Sequence, residues 1–230
     1  ACEEVRTRLL NRVADTHGIP IDDLVLLDGR VAALSGTFEL DLAEATVDPI
    51  EAEEVYRHAP TVALDDDGQG EAHVSFAFSA HRAIVDVDPD LGLVKVVELT
   101  TAQDVGRVLN PVQVVGQLEG GAAQGVGLAV LEELQVVDGR ILNPSFTDYL
   151  LPTALDMPPV EIAALIEQPE PGAPFGAKGV GEPPTISSTA AVAAAIRRAT
   201  GLELPRVPIR PTDIAFGRSP NQDLAGEDLS

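Results

Sequence analysis

Five glycines stand between Gly116 and Gly127, at positions 116, 120, 121, 125 and 127. Each one disfavours a helix by about 1 kcal/mol relative to alanine, so an otherwise apolar run needs a reason to carry them. Two reasons are physically distinct. Gly121 and Gly125 form a G-x-x-x-G pair, which lets a helix lie close against a neighbouring backbone. Alternatively, the N-terminal end of the segment approaches an anionic ligand, where free N–H groups and the helix dipole favour negative charge. A P-loop is excluded, because Gly-Lys-Ser/Thr is absent. A dinucleotide fingerprint fits poorly, because no βαβ unit with a suitably placed acid surrounds the run.

A second glycine cluster reads Phe175-Gly176-Ala177-Lys178-Gly179-Val180-Gly181-Glu182-Pro183-Pro184-Thr185-Ile186. Gly176, Gly179 and Gly181 let the backbone take positive φ or approach something closely. Pro183 is expected to hold Glu182 extended and to prevent a helix from starting there. The alanine-rich segment Ile186–Thr200 then predicts a helix ended by Gly201. Such a loop presents one acid from a stiffened backbone. The same residues also make a plain tight turn with a solvated glutamate. Lys178 either orients the loop by meeting a negative group or is solvated, and spacing leaves both open.

The chain of 230 residues is long enough for one or two domains with a real core. Its net charge of −22 and pI near 4.3 argue against nucleic acid, whose phosphates are bound by clustered Lys and Arg. Cys2 is the only cysteine, so no intrachain disulfide and no cysteine-based zinc or iron–sulfur site is expected. No apolar run is long enough to span a membrane and no secretory leader is visible, so a cytoplasmic protein is expected. With Ala1 first and a helix beginning almost at once, the chain reads as a piece of something longer.

Three regions are expected: a helix-plus-hairpin region over 1–70, a main region over 71–215, and a mobile tail over 216–230. Val5, Leu9, Leu10 and Val13 predict an amphipathic helix over 1–17, with Gly18 as its C-cap. Asp28-Gly29 predicts a hairpin between Leu24–Leu27 and Val31–Leu34. A short acidic helix is expected around Ile50–His58. Asp65–Asp67 lack the alternating ligands of a calcium loop and read as a solvated turn. Strands are expected over Ala72–Val87 and Leu91–Thr100, with His73 and His81 on one face of the first, half-buried and too far apart to share a metal. Val136–Ile141 predicts a third hairpin, Val160–Ile166 a strand, and the chain from Leu202 irregular structure. Glu119, Glu132 and Glu133 read as surface or structural acids.

Gly179-Val180-Gly181-Glu182-Pro183-Pro184 resembles the G-x-G-E-P-P loop of the molybdenum hydroxylases, the xanthine dehydrogenase and aldehyde oxidoreductase family. Gly116–Gly127 is similar to that family's glycine-rich cofactor segment, and Asp104–Pro111 before it fits as well. Phe146–Pro158 is closest to bacterial xanthine dehydrogenase large subunits. The resemblance runs from about Ala1 to about Ile214. It implies an α+β fold, with helices packed on mixed or antiparallel sheets, as the C-terminal part of a molybdopterin-binding subunit. It makes Glu182 the catalytic base in a purine-catabolic oxidation of xanthine or hypoxanthine by water-derived oxygen. It makes Gln117, Gly179, Val180, Gly181 and, more weakly, Gln124 contacts to the cofactor. The molybdenum would be held by the dithiolene sulfurs of the pterin and by no protein side chain. [2Fe-2S] and FAD would sit on partner subunits or domains, and the rest of the large subunit would complete the site. An aldehyde, another N-heterocycle or carbon monoxide are the alternative substrates within the family. A non-catalytic assembly module that has lost the cofactor is the alternative of another class.

Overall fold

In a computed structural model, described here over residues 1–217, the chain divides into two compact units, Ala1–Arg57 and the remainder from His58. The segment predicted to be a mobile tail lies outside the described residues from position 218 onward.

The first unit begins with helix α1 (Cys2–His17), whose Leu9, Leu10 and Val13 are buried at helical spacing. Gly18, at φ 67°, closes it in the left-handed conformation that costs glycine least. Strands β1 (Leu24–Leu27), β2 (Arg30–Ala33) and β3 (Glu39–Asp41) form an antiparallel sheet in that order. The β1–β2 turn puts Asp28 at φ 49° and Gly29 at φ 77°, matching the twist of the flanking strands. Leu24, Val31 and Ala33 meet the apolar face of α1, so helix and sheet share one small core. Asp41 caps a one-turn helix, α2 (Leu42–Ala45), accepting from the Ala43 N–H at 2.9 Å. The helix predicted over Ile50–His58 is absent. Ile50 packs on the small core, but Val55 and Tyr56 are exposed, so the rest of the segment buries too little to repay ordering it as a helix.

The second unit is built on strands β4 (Ser79–Asp88) and β5 (Leu93–Asp104), a long antiparallel hairpin whose Asp88 accepts from the Asp90 and Leu91 N–H groups. Helix α3 (Pro111–Val130) follows, then a short hairpin of β6 (Val136–Val137) and β7 (Arg140–Ile141). Strand β8 (Val160–Ile166) pairs parallel to β5, giving a mixed sheet of order β4-β5-β8. Helix α4 (Pro183–Thr200) packs on β4 and α3, and α5 (Pro211–Ala215) adds Ile214 to the core. Leu99, Val126, Val192 and Ile196 form the centre of that core, and burying each contributes about 1.5–3 kcal/mol. The fold is therefore α+β, as the sequence implied.

Four sequence expectations are corrected. Strand β4 starts at Ser79 rather than Ala72. Strand β5 stops at Asp104, whose N–H bonds Phe78 O, so earlier residues meet no strand in this ladder. His73 accordingly lies outside the strand, in edge contact with the Phe76 ring. Helix α4 begins at Pro183, not Ile186, and Glu182 is its N-cap with φ −81° and ψ −41°. Both prolines occupy the first turn, where no N–H is needed, and this outweighs the usual bias before proline. The chain after Leu202 is not wholly irregular, since it contains α5.

Candidate functional site

Helices α3 and α4 pack directly on each other, and glycines on α3 leave room for the contact. A Cβ on Gly121 would stand 2.6 Å from Pro184 Cβ, and one on Gly125 would stand 1.8 Å from Ser188 Oγ. Thr185 Oγ1 donates to Gly121 O at 3.3 Å and Thr189 Oγ1 to Gly125 O at 3.1 Å. Each step of four along α3 matches a step of four along α4. Extending that register one turn back brings Gln117 beside the residues just before Pro184. A Cβ at Gly181 would lie 3.9 Å from Gln117 Oε1. The two glycine clusters of the sequence therefore meet, and the close-packing reason for the G-x-x-x-G pair holds.

The anionic-ligand reason changes form. Helix α3 begins at Pro111, with Asn110 Oδ1 accepting from the Gln113 N–H at 3.1 Å. Gly116 and Gln117 thus lie in the second turn, beyond the free N–H groups of the helix start. What they offer is a side-chain amide and an uncovered backbone. Gly116, Gly120 and Gly179 have nothing within 4 Å of a Cβ position.

A cavity of about 580 Å³ opens at this place. Gln113, Gly116 and Gln117 line it from α3, Ala177, Lys178 and Val180 from the loop, and Arg107 from the end of β5. Arg107, Asn110 and Gln113 carried no assigned role beforehand. The signal was present in Asp104–Pro111, where a cation and a capping asparagine precede a proline. Glu182 is exposed, follows Gly181 directly, and makes no side-chain bond to cap α4, so its carboxylate is not consumed by the helix start. It is not among the cavity-lining residues. Gln124 is exposed and lies outside the cavity, with its Oε1 3.3 Å from Thr185 Oγ1. A second cavity, of about 440 Å³ between residues 202–206 and 212–217, touches none of the predicted site residues.

The loop itself is held from below. Gly176 takes φ 74° and Phe175 φ 58°, while Gly179 and Gly181 stay out of the left-handed region. Gly176 O accepts from the Arg107 N–H at 2.9 Å, and the Lys178 N–H bonds Val105 O at 3.1 Å. Lys178 Nζ stands 2.6 Å from Asp104 Oδ2, so its partner is an acid and not solvent. Burial pushes the Asp104 carboxyl up. Hydrogen bonds from Lys178 and from the Gly106 and Gln168 N–H groups outweigh that and hold it below the usual carboxylate value. Beneath α4, Ser187 Oγ lies 2.7 Å from His81 Nδ1 and 2.8 Å from Ser79 Oγ, and burial lowers the His81 pKa.

Among the described residues, no three His, Cys, Asp or Glu side chains come together to hold a metal. A cofactor gripped by its own sulfurs requires none. The amide, the uncovered glycine backbone and the Arg107 fork suit a large polar, anionic group.

Comparison with known proteins decides the lineage. Residues 1–158 match the family model described as a molybdopterin cofactor-binding domain. The chain belongs to the molybdopterin-binding molybdenum hydroxylases. It is 35% identical over 198 residues to the 6-hydroxypseudooxynicotine dehydrogenase complex subunit gamma of Paenarthrobacter nicotinovorans, covering 84% of this chain and 25% of that one. It is 38% identical over 132 residues to the xanthine dehydrogenase molybdenum-binding subunit of Escherichia coli O157:H7, covering 55% and 17%. Among solved structures, quinoline 2-oxidoreductase from Pseudomonas putida 86 shares the fold, with a TM-score of 0.71, 29% identity, and 94% and 28% covered. The chain thus spans between 17% and 28% of the length of these relatives. Its family's cofactor is molybdenum–molybdopterin.

Proposed function

We propose that this chain forms the C-terminal part of a molybdopterin-binding large subunit that hydroxylates an electron-poor carbon of an aromatic N-heterocycle, with xanthine or hypoxanthine as the purine case. The observation that carries the reading is the meeting of the two glycine clusters: Val180 and Gln117 line one cavity, and Gly181 stands beside Gln117 Oε1. Similarity to proteins named for xanthine, 6-hydroxypseudooxynicotine and quinoline supports the substrate class. In this reading Gln117 holds the cofactor through its amide, which donates and accepts without titrating. The loop Gly179, Val180 and Gly181, open at Gly179, lets the cofactor come close, while Gln124, outside the cavity, has at most a minor part.

A bound molybdenum–molybdopterin group would supply the two-electron acceptor of the oxidation, with iron–sulfur and flavin centres on partner subunits or domains as the onward acceptors in this reading. Glu182, which follows Gly181 directly and makes no capping bond to α4, would take up the proton released as the water-derived oxygen adds to carbon, the role of a carboxylate within hydrogen-bond reach. Gln117 orients the polar groups around it. The α3–α4 contact keeps both residues in register.

The test is metal analysis of the purified complex, followed by assays with xanthine, hypoxanthine, a pyridine, a simple aldehyde and carbon monoxide. Stoichiometric molybdenum with turnover of a heterocycle is expected. Absence of molybdenum would favour a non-catalytic assembly module. Turnover of aldehyde or carbon monoxide alone would move the substrate within the family.

A further inference from the structure

We infer that the buried Lys178–Asp104 ion pair is the positioning device of the glutamate loop, fixing where the Glu182 carboxylate stands. This inference rests on the reading of Glu182 as the base. Between Lys178 and Glu182 the chain is Gly179-Val180-Gly181. Nothing lies within 4 Å of a Cβ at Gly179, and only Gln117 Oε1 lies near one at Gly181. These residues have almost no side chain with which to hold themselves in place. The carboxylate is therefore located by the two ends of the segment.

The downstream end is Pro184, seated on Gly121. The upstream end is Lys178, and its ammonium is 2.6 Å from Asp104 with both side chains under 10% exposed, at 7% and 5%. Other ion pairs of the described residues, such as Arg30–Glu39, lie on the surface, where they are worth little. A buried pair behaves differently. Removing one partner strands a charge in the interior, whereas removing both is tolerated. Asp104 is itself fixed, since its Oδ1 accepts from the Gly106 N–H at 3.0 Å. Gly106 accepts no side chain, because a Cβ there would meet Gly176 O at 2.4 Å and Lys178 N at 2.8 Å. The end of β5 and the start of the loop are thus interlocked by backbone, and the ion pair closes the lock.

The experiment uses the complete enzyme that carries this chain, as Asp104→Asn, Lys178→Met, the double variant and Glu182→Gln. Hydrogen exchange of the peptide spanning 176–182 is measured alongside kcat, KM and molybdenum content. Each single ion-pair variant should exchange about tenfold faster across that peptide. Its kcat should fall about 100-fold with KM within about threefold, because a misplacement of about 1 Å costs that much. The double variant should regain about tenfold of the lost kcat and most of the protection, giving the non-additivity expected of a direct pair. Insoluble single variants beside a soluble, protected double variant would support the pair equally. Wild-type exchange in the single variants, or a double variant as impaired or insoluble as the worse single, would overturn it. Glu182→Gln should keep wild-type protection while losing kcat. Normal turnover in that variant would remove the base assignment and leave the exchange result to judge the loop on its own.

Discussion

In α3 one residue type serves opposite purposes in the two halves of the helix. Gly121, Gly125 and Gly127 are buried, and a methyl group at each would collide with Pro184, Ser188 and Glu132 respectively. Gly116 and Gly120 face open space and would accept a methyl group without touching anything in the chain. The buried glycines are explained by packing within the unit. The open ones are not, although each weakens the helix. They lie on either side of Gln117, and Gly116 lines with it the cavity that Lys178 and Val180 line from the loop. Packing within the unit therefore accounts for the glycines in the second half of α3, and the proposed function gives those in the first half their purpose.

The comparison can be broken by substitution. The largest effect is expected from the open half. Gln117→Ala in the complete enzyme should lower turnover by about 10²–10³, the cost of losing one aimed hydrogen-bond donor. Gln124→Ala should have a much smaller effect. Equal losses would mean that the cavity does not mark the site. Next comes the buried half. Gly125→Leu should destabilise the second unit by about 1–3 kcal/mol through overpacking against Ser188, read as a lowered unfolding midpoint in denaturant. Gly116→Ala should act in the opposite sense, raising helix stability by up to about 1 kcal/mol while lowering molybdenum content. A stabilised variant with full molybdenum would separate that glycine from cofactor binding.

The smallest effect concerns pH. The folded His81 takes up a proton less readily than its ordinary value of 6.5, because it is buried. Below pH 6.5 the unfolded chain gains a proton that the folded one resists, so stability falls as pH falls. The slope for one such group is at most about 1.4 kcal/mol per pH unit. Thermal unfolding between pH 8 and pH 5 should show this slope, and His81→Asn should flatten it.

Local signals were readable and tertiary ones were not. Helix α1, the Asp28-Gly29 and Asp138-Gly139 turns and strand β8 follow from periodicity and turn chemistry within a few residues. The early start of α4 was hidden because proline before a helix and proline in its first turn give the same letters. The late start of β4 depends on where β5 ends, which no pattern in residues 72–78 records. Residues 117 and 179–182 were singled out by resemblance alone. The partner of Lys178 was not, because Asp104 lies 74 residues away and the pairing exists only once β5 and the loop are packed together. Arg107 was visible as a residue and silent as a role until the cavity gave it a place.

The central claim is that a carboxylate at the tip of the glycine loop takes a proton during turnover. Glu182→Gln in the complete, molybdenum-loaded enzyme tests it most directly, with the metal content measured on the same sample. The account predicts unchanged molybdenum and a turnover rate reduced by about 10²–10⁴, the contribution of a positioned base. Wild-type turnover by that variant, with its metal in place, would contradict it.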